Sequence, residues 1–435
     1  MKKRWLYTLP VLSATAFILS GCKSVTGAGE LQLQQEEQEK TILTLFMPIE
    51  TNESTGTRDY QDIIADFNAQ SNTVEVRVDG LSTGDGYNEA LERRLNGGKN
   101  ADLFVVNADR VKTLNSMGYF YDLSEQPVFQ RLNDSARQQS TIDGIAYCLP
   151  TKMTAYGLYV NVGLLKQYGL EPPQNADGFL HCCQILKENG VTPISINRWY
   201  AMTTIAMSRG LYPIYQDGNT EEIIAGLNDG SVKISEYMLE GFRFFSELVD
   251  KGYYGGNLTA KQVDAVNANT SDWEDFKTGK TAFAVFPSGK ESELKELIPP
   301  MEFIQQGFPV MPDGTISIPS VSARLCVNAK GEHVEEALTV LEYLTISKAD
   351  ELSSGGGGRL SVFEAENVKA DSSVQALYAD AVSGGQIPIE DMQLCFDYWG
   401  TIRTLCLDII SGATPEEAAM EYDRIQAEKV GEDVS

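Results

Sequence analysis

From Thr41 onward the apolar positions alternate between two spacings, and that alternation divides the chain into strands and helices. "TILTLF" is a short β-rich apolar run, after which Tyr60, Ile63, Ile64 and Phe67 recur at helical spacing. "TVEVRV" alternates as a strand does, and "YNEALERRL" sets Tyr87, Leu91 and Leu95 along one helical stripe. "DLFVV" is continuously apolar, as expected of a strand covered on both faces, and the helix-like stretch from Arg110 to Met117 stops at Gly118. The order β-α-β-α-β-α predicts a parallel, doubly wound sheet, in which ligands sit beyond the carboxyl ends of the strands. Those ends are Met47 to Asn52, Asp79 to Asp85 and Asn107 to Arg110.

A second block follows "IDGIAYCLP". "YGLYVN" reads as a strand, "VGLLKQYG" as a helix closed by Gly169, "GFLHCCQILKENG" as a helix ending at Gly190, and "TPISI" as the next strand. Met238, Phe242, Phe245 and Val249 fall on one face of a long helix, and "WEDFKTGKTAFAVF" turns from helix to strand through Gly279. Thr414-Pro415-Glu416-Glu417 is a helix start with capping-box spacing and proline at the first helical position. About 400 residues exceed what one core organises, so two domains are expected. Periodicity alone leaves open whether the two α/β units are independent or are halves of one cleft.

Ahead of Thr41 the pattern changes. Lys2, Lys3 and Arg4 precede an apolar segment from Trp5 to Leu19, about 15 residues where a membrane-spanning helix needs about 20. Leu19-Ser20-Gly21-Cys22 then gives way at once to polar residues, a layout that resembles a bacterial lipoprotein signal peptide with its lipobox. The resemblance implies that Cys22 is lipidated, becomes the first mature residue and holds the protein to the membrane. Lys23 to Lys40 is rich in Gly, Ser, Gln and Glu and too polar to bury a core, so it reads as a flexible tether that reaches roughly 60 Å when extended. A short helix over "LQLQQEEQEK" is the alternative.

The body beyond that arm has an ordinary globular composition, with 42% hydrophobic and 22% charged residues. The formal charge is −26 and becomes more negative by three once Lys2, Lys3 and Arg4 are removed. So acidic a surface repels phosphate backbones, which argues against nucleic acid as a partner. Cys148, Cys182, Cys183, Cys326, Cys395 and Cys406 show no metal-ligand spacing and read mostly as small buried apolar residues, with one bridge open to an exported protein. The two histidines, His181 and His333, stand alone, so neither a metal site nor a cofactor is expected.

"DGIAYCLPTKMTAYGLYVNVGLLKQYGLEPPQ", "WEDFKTGKTAFAV" and "ALTVLEYLTISKADE", in that order behind a lipobox, resemble the family 1 extracellular solute-binding proteins, the receptors of bacterial ABC importers, many of which carry sugars. The chain departs from the family where Asp177-Gly178-Phe179 replaces a frequent Trp-x-Glu-Phe, and where Gly355 to Gly358 suggest a loose loop. The resemblance implies two doubly wound α/β lobes joined by crossing hinge strands, with the ligand cleft between them. Carried over, the crossings fall near Leu149 to Met153, Phe286 to Gly289 and Ser320 to Arg324. The expected division is 1–22 leader, 23–40 tether, 41–149 with 287–322 as the N-terminal lobe, and 150–286 with 323–435 as the C-terminal lobe. The implied partners are a small solute, most often a sugar, and the ABC permease subunits, with the receptor a monomer.

A sugar offers hydroxyls and apolar faces, so its cleft needs flat aromatics beside carboxylates, amides or guanidinium groups. Trp199 and Tyr200 in "NRWYAM" follow a strand-like run at a cleft edge, and Trp399 lies in "FDYWGT". Trp273 reads as a packing residue. The polar candidates at strand ends and crossings are Glu50, Asp109, Lys152 and Arg324, together with Tyr156. The competing enzyme reading is Gly80-Leu81-Ser82-Thr83-Gly84, a nucleophile-elbow pattern that lacks a histidine in an evident position. A third class is a sensor subunit that presents its ligand-bound form to a membrane kinase.

Overall fold

The computed structural model describes residues 40–49, 57–81, 86–98, 101–197, 200–216, 218–256, 258–265, 271–346, 360–363, 372–383, 385–389, 391 and 393–433. The first block forms as its periodicity predicts. Strands β1 (Thr41–Pro48), β2 (Val74–Leu81) and β3 (Leu103–Val106) alternate with helices α1 (Thr57–Gln70), α2 (Tyr87–Asn96) and α3 (Val111–Ser116). They pair in parallel around β1, Leu45 lying beside both Val78 and Leu103. The Tyr87, Leu91, Leu95 stripe is buried, and β3 is covered on both faces.

The sheet does not stay parallel. Strand β6 (Leu149–Asn161) and strand β10 (Ile318–Val327) run antiparallel to each other from Ile318 opposite Tyr156 to Leu325 opposite Leu149. β10 also runs antiparallel to β3, with Arg324 opposite Val106. Further along β6 lie β8 (Thr281–Pro287) on one side and β9 (Phe303–Gln306) on the other, and β7 (Thr192–Ile194) adds in parallel to β8. The result is one mixed eight-stranded sheet, ordered β2-β1-β3-β10-β6-β8-β7, with β9 also on β6. The short hairpin β4 (Thr141–Ile142) and β5 (Ile145–Ala146) stands apart, turned by Asp143 and Gly144, both at positive φ as a tight two-residue hairpin turn requires.

β6 has thirteen residues, roughly 40 Å of strand, long enough to belong to two cores. Its first half packs with Leu43, Leu45, Val105, Val321 and Leu325 under helix α13 (Val334–Ile346). Its second half, from Leu158, joins a core built on helices α6 (Ala176–Glu188), α7 (Thr203–Gln216) and α9 (Ser235–Asp250), closed by the C-terminal helices Trp399–Ile410 and Pro415–Asp433. The crossing strands therefore join two lobes. The strand pairings run against the expected division at one point. Residues 303–306 pair with Leu158–Asn161 of the second lobe, whereas Arg324–Val327 pair with Leu103–Val106 and α13 packs on β1 of the first. Those two segments stand the other way round because β9 and β10 sit consecutively along the same edge of β6.

Trp273 packs as expected, 2% exposed among Tyr159, Phe276 and Phe286, with its indole nitrogen donating to Glu293 Oε2 at 2.7 Å. The capping box also forms, Thr414 N donating to Glu417 Oε2 and Glu417 N to Thr414 Oγ1. The six cysteines of the described region are thiols.

Candidate functional site

The two crossing strands are two-sided. Thr151, Met153, Ala155, Val321 and Leu325 are buried, whereas Lys152, Thr154, Tyr156 and Ser320 are half-buried and Ser322 is exposed. Residues directly opposite in an antiparallel pair share a face. Ser322 lies opposite Lys152, Ser320 opposite Thr154 and Ile318 opposite Tyr156, so one face of the crossing is a polar floor leading from the first lobe to the second.

An aromatic cluster stands at the second-lobe end of that floor. Tyr156 projects from β6, Tyr200 from the turn ahead of α7, and Trp399 from the first position of its helix. Their ring centroids lie 5.0 Å (Tyr156 to Tyr200), 5.9 Å (Tyr156 to Trp399) and 6.4 Å (Tyr200 to Trp399) apart, and all three residues are half-buried. The Tyr200 turn is held by the fully buried Asn197, whose Oδ1 accepts from Tyr200 N at 2.6 Å and whose Nδ2 donates to Asp272 Oδ2 at 2.7 Å. Burial pushes the Tyr200 phenol above its ordinary range, so it stays a neutral donor near pH 7. At Trp399 the start of the helix is pinned by Gly400 N donating to Asp397 Oδ2 at 3.0 Å.

Arg324 occupies the first-lobe end. It lies opposite Pro150, six residues and about 20 Å of strand from Tyr156, and opposite Val106 at the carboxyl end of β3. Asp109 follows that same end but faces outward, accepting from Asn88 at 3.2 Å and paired with Arg110 at 3.6 Å. The lobes also touch directly, since Lys112 Nζ from α3 donates to the carbonyl of Leu394 in the loop that leads to Trp399. Beside that contact lie two cavities of about 710 and 360 Å³, bordered by Gln138 from the first lobe and by Gln393 from the second. Neither is lined by the aromatic cluster.

Of the residues singled out from sequence, Tyr156, Tyr200 and Trp399 are brought together, Lys152 lies on the same floor, and Arg324 and Asp109 mark the opposite end. Glu50, Trp199, Cys22 and Ser82 lie outside the described residues. Sequence reasoning missed Thr154, Ser320, Ser322 and the Lys112 contact. The signal for the first three was present, because "PTKMTAY" and "IPSVSAR" place a polar or tyrosine residue at every second position.

The described geometry coincides with a known family. The model of the bacterial extracellular solute-binding proteins matches residues 52–351, well over half of the chain. The multiple sugar-binding protein of Streptococcus mutans is 20% identical over 354 residues, 78% of each chain. Among solved structures, a family 1 extracellular solute-binding protein from Bifidobacterium longum subsp. infantis superposes with a TM-score of 0.74 at 16% identity, covering 89% of this chain and 99% of its own. The apo form of RafE from Streptococcus pneumoniae gives 0.71 at 16% identity (90% and 99% covered), and RafE in complex with raffinose gives 0.63 at 15% (90% and 100%). With a mixed sheet crossing between two lobes and a family match over most of its length, this chain belongs to the bacterial extracellular solute-binding proteins.

Proposed function

We propose that this chain is the extracytoplasmic receptor of a bacterial ABC importer, that it captures a mono- or oligosaccharide between its lobes, and that it delivers the sugar to the permease subunits. The observation that carries the reading is the cluster of three half-buried aromatic rings at one end of a polar floor. Rings of this kind stack on the C–H faces of a pyranose, and the serine, threonine and lysine of the floor serve its hydroxyls. The sugar-binding relative and the raffinose complex point the same way. Closure of the lobes about the crossing strands is the transport signal, because a ligand shifts a conformational equilibrium only through differential affinity for its states.

The receptor is tethered through a lipid on Cys22 and works as a monomer without catalysis. Substitution Cys22→Ser moves the protein out of the detergent phase if the tether is lipid, and unchanged partitioning overturns the anchor. The solute class is tested by a thermal-shift screen of mono- and oligosaccharides against amino acids, peptides and polyamines on protein lacking residues 1 to 22. A true ligand raises the melting temperature with concentration because it binds only the native state. Ester hydrolysis that Ser82→Ala removes would instead make the chain an enzyme.

A further inference from the structure

We infer that the captured solute carries an oxyanion, a uronate carboxylate or a sugar phosphate, and that Arg324 receives it. The inference rests on the sugar-receptor reading and adds to it the charge of the ligand. Arg324 is 8% exposed, its Nε is buried without a partner, and among the described residues no hydrogen bond or ion pair engages its guanidinium. Among the described residues, the ionisable groups around it do not supply an anion. Tyr147, Cys148 and Cys326 are buried, and burial holds all three neutral, pushing the Cys148 thiol up to about 11 even against the pull of Arg324. Asp109, the acid at the same strand edge, is turned to Asn88 and Arg110.

A buried charge with no counter-charge is unfavourable, and folded proteins keep few of them outside functional positions. The position here is functional in kind. Arg324 stands directly across from Val106, the last residue of β3, at the strand edge where sheets of this topology bind ligands. Lys152 shares the face one diagonal step away, about 7–8 Å between such positions, and adds a second positive charge. Both cations are held in a protein of formal charge −26, so they are local features rather than part of a basic surface. Sugar hydroxyls accept from a guanidinium but leave its charge standing, whereas a carboxylate or phosphate takes two parallel N–H donors and neutralises it.

The test uses the exported body with Arg324→Met, which keeps the length and removes the charge, and Arg324→Lys, which keeps the charge and loses the fork. Without ligand, Arg324→Met melts at or above the wild-type temperature, since it removes an uncompensated charge. A fall of many degrees would make the guanidinium a structural element and overturn the inference. Calorimetric titrations then compare digalacturonate with galactobiose, glucuronosyl-xylotriose with xylotriose, and glucose 6-phosphate with glucose. In the wild type an acidic member binds at least about tenfold tighter than its neutral counterpart, and in Arg324→Met that ratio falls to near one. Preference confined to the uronates identifies a carboxylate, and preference confined to the phosphorylated sugar identifies a phosphate. Equal binding of neutral and acidic partners overturns the charge inference and leaves the sugar reading standing. Absence of binding by every saccharide overturns both.

Discussion

Trp399→Ala separates a ligand platform from a packing residue. The ring meets Tyr156 at 5.9 Å and Tyr200 at 6.4 Å and is half-buried. Each aromatic pair is worth about 0.5–1.5 kcal/mol beyond its buried area, so losing both costs the fold about 1–3 kcal/mol. A fully buried aromatic costs about 3–5 kcal/mol on truncation. As a binding anchor, Trp399 is worth on the order of 2 kcal/mol, about thirtyfold in affinity. The expected result in the exported body is therefore a modest fall in melting temperature with a thirtyfold weaker calorimetric Kd for the sugar that gives the largest thermal shift. Trp273→Ala is the control, because that ring is 2% exposed and packs against Phe286 at 4.9 Å and Tyr159 at 5.3 Å. It should lose about 3–5 kcal/mol of stability and keep its affinity in the folded fraction. If Trp399→Ala leaves the Kd within about twofold of wild type, the aromatic cluster is not the platform.

Three further outcomes follow from local geometry. Gly157→Ala puts a Cβ 2.4 Å from the Gln306 carbonyl oxygen and 2.6 Å from Leu377 Cδ1, forcing β9 and β6 apart, and should cost about 1–3 kcal/mol in urea unfolding. Asn197→Ala leaves the buried Asp272 without one of its donors and frees the Tyr200 turn, so stability falls by about 1–3 kcal/mol and sugar affinity weakens with it, read by melting and titration on one sample. Burial raises the Asp380 carboxyl above its ordinary value, although Thr315 Oγ1 at 2.7 Å and Gly307 N at 3.1 Å donate to it. The folded state thus binds that proton more tightly than the unfolded one, and its contribution is greatest at low pH and is lost as pH climbs from about 4 through the raised value. Stability of wild type relative to Asp380→Asn should decline across that window and then level off, and a constant difference would refute the assignment.

The first lobe was legible because its strands are apolar throughout or alternate cleanly, and because its helices carry stripes such as Tyr87, Leu91 and Leu95. Long stretches of the second lobe were read for the same reason, α9 among them. β10 was placed only through the family resemblance, as the crossing near Ser320 to Arg324, since the serines at alternate positions of "IPSVSARLCV" break its apolar pattern. Its direction was not readable, which hid the antiparallel turn of the sheet and left 303–306 and 324–327 on the other side of the expected division from their strand partners. α7 was hidden by Pro213, which ordinarily ends a helix and here lies inside one. Aromatic type and crossing position singled out Tyr156, Tyr200 and Trp399, whose rings the fold brings together. The burial of Arg324 and the lack of a partner for its Nε among the described residues were not readable, because both are tertiary facts.

The central claim is that two lobes close on a sugar, and small-angle X-ray scattering tests it most directly. The exported body is measured alone and then saturated with the saccharide that raises its melting temperature most. Closure about β6 and β10 predicts a smaller radius of gyration in the saturated sample, with no such change for Trp399→Ala at the same sugar concentration. A radius that stays constant at full saturation, or a panel in which only non-saccharides bind, would contradict the account.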